Sequence, residues 1–234
     1  MLQKLIKELQ EFADEKQAKN LQRFFKTEKG QYGEGDIFIG LKVPYTRRIS
    51  KKYVNLNLPN IQKLLDSKIH EHRLAGLFIL IDKFKKSDEE NKGNIFNFYL
   101  KNTKNINNWD LVDLSAPNIV GNFLIDKDKG ILYKLAESKY LWEKRISILA
   151  CFSFIRKEEF NDALRISEIL LKDEHDLIHK AVGWMLKEIG KKDEKVLEDF
   201  LKKHYFEIPR TALRYSIEKF EESKRKKFLR GEFK

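Results

Sequence analysis

Trp109 and Asp113 stand four residues apart in NNWDLVDLSAP, residues 107 to 117. On an α-helix that spacing puts an indole and a carboxylate on one face, one turn apart. A core face would be apolar throughout, and a solvent face would not spend a tryptophan. The pair therefore reads as a packing Trp beside a capping Asp, or as half of an active site. In the second case the chemistry is electrostatic. An ionised carboxylate stabilises positive charge that develops during a reaction, and an electron-rich indole face attracts a cationic centre.

The elements that would position such a pair are helices, and they repeat. HRLAGLFIL (72 to 80), NWDLVDLSA (108 to 116), KRISILACF (144 to 152), HKAVGWMLK (179 to 187) and PRTALRYSI (209 to 217) each open on a polar, basic or aromatic residue and run into an apolar helix. Aligned on their second residues, they place Arg73, Trp109, Arg145, Lys180 and Arg210 in one register, at spacings of 36, 36, 35 and 30. Two-helix repeats of this length build α-solenoids, in which each unit buries its apolar face against its neighbours. The spacing predicts an all-α chain, a curved stack of antiparallel helix pairs with a basic concave face, over residues 1–234 as one domain. Equivalent positions of successive repeats form rows. Four residues past the register lie Leu77, Asp113, Leu149, Trp184 and Arg214. Asp113 and Trp184 then share one row, and Trp109, Arg145, Lys180 and Arg210 the row one turn away. Two tryptophans, a carboxylate and three cations are expected on one surface.

Upstream, Leu2, Leu5, Ile6, Leu9, Phe12 and Ala13 fall at helical spacing. TEKGQYGEGDIFIGLKVPYTRR, with four glycines and Pro44, reads as an ordered Gly-rich loop at about 27–46, with Arg47 and Arg48 after it as phosphate contacts. The tail ESKRKKFLRGEFK reads as a frayed basic end.

Composition narrows the partner. Forty-seven Lys and Arg against 36 Asp and Glu give a net charge of +11, which suits a polyanion such as nucleic acid, although lysine-rich composition drift gives the same sign. Only 4 prolines and 11 glycines disfavour a turn-rich β fold. The single cysteine, Cys151, excludes an internal disulfide framework and fits a reducing compartment. MLQKLIKELQEF contains acidic residues, unlike a signal peptide, and the longest apolar run, LAGLFILI, is too short to span a bilayer. The expectation is a soluble, cytoplasmic monomer without a membrane partner.

NNWDLVDLSAPNIVGNFL, WEKRISILACFSFIR, LIHKAVGWMLKEIGK and IPRTALRYSIEKF together resemble the AlkD-type DNA alkylation repair proteins, glycosylases built from HEAT-like helical repeats. FFKTEKGQYGEGDIFIGLKVP is similar to that family's loop leading into a Gly-x-x-x-Pro segment, and the likeness covers nearly the whole chain. The resemblance implies excision of N3- and N7-alkylated purines from duplex DNA with no cofactor. It also implies a site made of Trp109, Asp113, Arg145 and Trp184, with the lesion approached from the backbone side while it remains stacked. Phe24, after Arg23, stands where some members carry a tyrosine, and the YGEGD loop is longer than in typical members.

The implied chemistry suits these residue types. An alkylated purine is cationic and already a good leaving group, so no general acid is needed. Asp113 would stabilise the oxocarbenium-like sugar and position water, and Trp109 and Trp184 would cradle the lesion. Arg145, Lys180, Arg210, Arg214, Arg47 and Arg48 would meet phosphates. No metal is expected. His175 and His179 have zinc-helix spacing, but Asp176 stands where the metalloprotease motif carries Glu, and no third ligand follows. GQYGEGDIFIG lacks the Lys-Ser/Thr of a P-loop. A non-catalytic reader of DNA structure and a protein-binding scaffold remain as alternative readings.

Overall fold

The computed structural model describes residues 1–232. Among them there is no strand, only an isolated parallel bridge between Ile37 and Ile69. The described residues are mostly helical, consistent with an α-solenoid of helix pairs, and the chain divides into two compact units, Met1–Ser115 and Ala116–Lys234.

The first unit contains α1 (Leu2–Gln10), α2 (Glu15–Phe24), α3 (Val43–Lys51), α4 (Leu58–Leu65), α5 (His70–Lys86), α6 (Glu89–Lys101) and α7 (Trp109–Ser115). Local chemistry starts several of them. Asp14, Asn57 and Asp88 each accept a backbone N–H three residues on, at 2.9, 3.1 and 2.9 Å, and so cap α2, α4 and α6. Helix α5 is the hub. It buries every position from His70 to Ile81 and packs against α1, α3, α4, α6 and α7. Such a helix shows no amphipathic stripe, because each of its faces has a neighbour.

The second unit contains a π-helical turn at Pro117–Gly121, then α8 (Gly130–Ala136), α9 (Leu141–Ala150), α10 (Phe152–Ile155), α11 (Asn161–Leu170), α12 (Asp176–Gly190), α13 (Glu194–Lys203), α14 (Arg210–Ser216) and α15 (Glu222–Arg230). Helix α8 packs on α9, and α12 packs on α9, α11, α13 and α14. The five repeated segments read from the sequence lie on α5, α7, α9, α12 and α14.

Two local expectations are corrected. The Gly-rich loop stops at Lys42, because Val43 and Pro44 open α3. Proline's fixed φ and absent N–H suit a first helical turn, so Arg47 and Arg48 sit on a helix. The segment NWDLVDLSA forms α7, which ends at Ser115. Pro117 has no N–H to donate, and the chain widens into a π-turn closed by Gly121 N–H on the Ala116 carbonyl at 2.9 Å. The basic tail is not frayed over its described part. It forms α15, ended by Gly231 in the left-handed region, and its last two positions, 233 and 234, lie outside the described residues.

Candidate active site

Trp109 opens α7 and Asp113 follows one turn later, both half-buried. The Trp109 ring lies stacked on Phe25, centroids 5.2 Å apart at 19°, and Phe24 meets it edge-on at 5.9 Å. Contacts of this kind contribute about 0.5–1.5 kcal/mol each beyond area burial. Phe24 itself remains 63% exposed, so the edge of the aromatic cluster is open to solvent. Asp113 sits near the buried Tyr99 hydroxyl, which bonds Ser115 Oγ at 2.9 Å. Burial pushes the Tyr99 pKa up and the negative charge of Asp113 adds to the rise, while the Ser115 bond works against it. Tyr99 is therefore a permanent neutral hydroxyl beside the carboxylate.

Beneath this pair lies a buried ionic network that sequence reasoning missed. His70, 1% exposed at the start of α5, donates through Nε2–H to Asp110 Oδ2 at 2.8 Å and through Nδ1–H to Asp36 Oδ2 at 3.0 Å. Arg73 Nη2 donates to Asp36 Oδ1 at 2.6 Å, and Asn108 Nδ2 donates to Asp36 Oδ2 at 3.2 Å. The His70 ring also stacks on Phe38 at 4.4 Å and lies 5.2 Å from Phe25, the same ring that carries Trp109. Burial alone would lower the His70 pKa, but the charge and hydrogen bond of Asp110 and the bond to Asp36 outweigh it, and the pKa rises to about 9. His70 is an imidazolium at neutral pH. Asp36 is subject to the same competition. Burial opposes ionisation, and the His70 bond and Arg73 charge win, holding the carboxyl below its ordinary value. Two cations and the Asp36 carboxylate are thus buried, and the part-buried Asp110 completes the matched set. The signal in the sequence was HEHR directly ahead of the apolar run LAGLFILI: consecutive ionisable residues opening a fully buried helix must find partners.

In the second unit Arg145 is buried, and its Nη1 donates to the Leu177 carbonyl in the first turn of α12. Lys180 pairs with Asp176 at 2.6 Å, and Asp176 also receives a hydrogen bond from Thr211 in α14. Helix α12 packs on both α9 and α14, so Arg145, Lys180 and Arg210 lie on neighbouring helices. Arg210 is exposed, with Nη1 on the Leu229 carbonyl of α15 at 3.1 Å. Arg214 is exposed and lines a hollow of about 250 Å³ with Ile217, Glu218, Arg225 and Leu229. Trp184, half-buried on α12, donates through Nε1–H to Glu188 Oε1 at 3.0 Å and lies 6.1 Å from the Phe152 ring.

The remaining candidates are surface cations in the first unit. Arg47 lies over the Phe78 ring at 4.5 Å, and Arg48 over Tyr45 at 5.1 Å. A further basic groove of about 760 Å³, lined by Lys16, Lys19, Arg23, Thr27, Glu28 and Gln31, was not anticipated. His175 and His179 each commit one ring nitrogen to a backbone contact. His175 Nδ1 accepts the Leu177 N–H at 3.1 Å and caps α12, and His179 Nε2 turns to the Asp173 carbonyl. Among the described residues no helix is long and apolar enough to cross a membrane.

The chain belongs to the DNA alkylation repair enzyme family, whose family model matches residues 5–220. Its role is accordingly in DNA repair, with DNA as substrate. A solved structure described as a predicted DNA alkylation repair enzyme from Enterococcus faecalis shares the fold, with a TM-score of 0.71 at 14% identity over 90% of this chain and 97% of that one. No curated protein matches the chain by sequence.

Proposed function

We propose that the protein is a monofunctional DNA glycosylase that hydrolyses the N-glycosidic bond of positively charged N3- and N7-alkylated purines in duplex DNA. The observation that carries this reading is the half-open Trp109 ring one helical turn from the Asp113 carboxylate, in a member of a DNA alkylation repair family. A cationic purine needs no protonation to leave, so the protein has only to stabilise positive charge on the sugar and admit water. Asp113 supplies the negative charge and Trp109 an aromatic face for the cationic lesion; in the second unit, Trp184 offers an aromatic face of the same kind. Phe24 extends the Trp109 cluster without a hydroxyl. Arg47, Arg48, Lys180, Arg210 and Arg214 supply exposed or half-exposed positive charge for phosphates, and the net charge of +11 favours association at low salt. Arg145 acts by fixing the start of α12 beneath Lys180. The protein works as a cytoplasmic monomer without a cofactor.

The test is release of free 3-methyladenine and 7-methylguanine from methylated duplex DNA, measured by chromatography for wild type and Asp113→Asn. Wild type should release base well above the spontaneous rate. The variant should lose about 10²–10³-fold in rate while salt-dependent duplex binding survives. Tight binding with no release by wild type would leave a non-catalytic reader of DNA structure. Absence of both would leave a scaffold.

A further inference from the structure

Helix α7 has only seven residues, too few to be stable by its own hydrogen bonds. Its first turn is held locally by Trp109 N–H on Asn108 Oδ1 and Leu111 N–H on Asp110 Oδ1, both at 2.9 Å. Those bonds shape the turn but do not attach it to the rest of the unit. At its start the helix is attached to α5 and the Gly-rich loop, His70 on Asp110 and Asp36 on Asn108, while Tyr99 on Ser115 and the burial of Leu111 and Val112 hold the rest of it. We propose that His70, bonded through both ring nitrogens to Asp36 and Asp110, is a positioning residue for the α7 site, fixing the orientation of Trp109 and Asp113. The inference rests on the glycosylase reading only for its consequence in catalysis.

Two routes lead from His70 to the site. The ionic route runs through Asp110, the residue next to Trp109. The packing route runs through Phe25, whose ring touches both the His70 and Trp109 rings. The ionic route requires both ring nitrogens to carry protons, since a neutral imidazole has one donor and would turn a lone pair toward one of the two carboxylates. The charged groups facing the ring are Asp36 from the loop, Asp110 from α7 and Arg73 from its own helix; Phe25 and Phe38 cover its faces. Glu71 and His72 are occupied elsewhere, on the Ile39–Leu41 amides and on Ser67. Loss of the ring proton should therefore loosen α7 without disturbing any other charge near the ring.

The experiment follows the full chain by NMR from pH 6.5 to 10.5, reading the His70 ring signals and the Trp109 indole N–H, the latter assigned by its loss in Trp109→Phe. The two should move together with one midpoint near 9, and Asp110→Asn should lower that midpoint by about one unit or more by removing a facing charge. In parallel, the base-release rate at saturating methylated duplex should fall about tenfold or more through the same midpoint, with KM nearly constant. A Trp109 signal that stays fixed while His70 titrates, or a release rate flat across the midpoint, would overturn the proposal. The wild-type titration needs no variant to fold. If wild type releases no base at all, the glycosylase reading fails, and the NMR coupling alone decides whether His70 holds the Trp109 face.

Discussion

Glu71 lies next to His70 in sequence but serves the loop. Its carboxylate accepts the Ile39, Gly40 and Leu41 N–H groups, with Gly40 the closest at 2.9 Å, and so organises a segment whose amides have no helix to satisfy them. Removing the carboxylate leaves several buried donors unpaired. Glu71→Ala should cost about 3 kcal/mol in urea unfolding, and Glu71→Gln, which keeps an acceptor oxygen, should recover part of that. At this scale the sequence exposed Trp109 and Asp113, because an aromatic and a carboxylate at helical spacing are unusual together. It hid Asp36, His70 and Asp110, and the burial of the row member Arg73 against Asp36, because their links span 34 to 40 positions of chain. Arg145 was legible as a row member, and its burial on the Leu177 carbonyl was not. A row position does not say whether a long side chain points to solvent or folds back onto the next repeat.

The helices of each unit are set by close approaches as much as by apolar stripes. Gly40 has φ +85°, and a Cβ there would lie 2.0 Å from the Asp14 carbonyl oxygen, which belongs to the cap of α2. Gly183 on α12 lets α14 approach so closely that a Cβ would meet Tyr215 Cβ at 2.5 Å and the Ala212 carbonyl at 2.6 Å. Gly30 has φ +80° but open space around it. Urea midpoints should separate these cases. Gly40→Ala and Gly183→Ala should each cost more than about 2 kcal/mol, because backbone must move, whereas Gly30→Ala should cost about 1 kcal/mol from its conformation alone. Equal effects at Gly30 and Gly40 would mean that the approach to Asp14 is unimportant. The element boundaries that sequence reasoning misplaced, at α3 and at α15, both involve Pro or Gly. Proline marks a start as readily as a stop, and only the surrounding backbone decides which.

For the molecule as a whole, the buried imidazolium links stability to pH. His70 has a folded pKa of about 9, above its unfolded value near 6.5, so its contribution is complete below about pH 6.5 and is lost as pH rises through 9. Stability to urea should therefore decline from pH 6.5 to 9.5 by on the order of 3 kcal/mol, and His70→Gln should flatten that decline. His72 and His175 are shifted the other way, by burial first, and act at lower pH, outside this window. A wild-type profile flat from pH 6.5 to 9.5 would contradict the charged state of His70. The sequence by itself determined that the chain is helical, that its helices recur at solenoid spacing, and that Trp109 and Asp113 share a face, because each of these depends on local periodicity. Tertiary structure alone decided that three charged groups are buried with a fourth, Asp110, part-buried against them, and that a seven-residue helix is tied at its start to α5 and a glycine-rich loop. Those outcomes depend on which distant segments meet, and a buried charge is tolerated only where a partner from another segment arrives to match it.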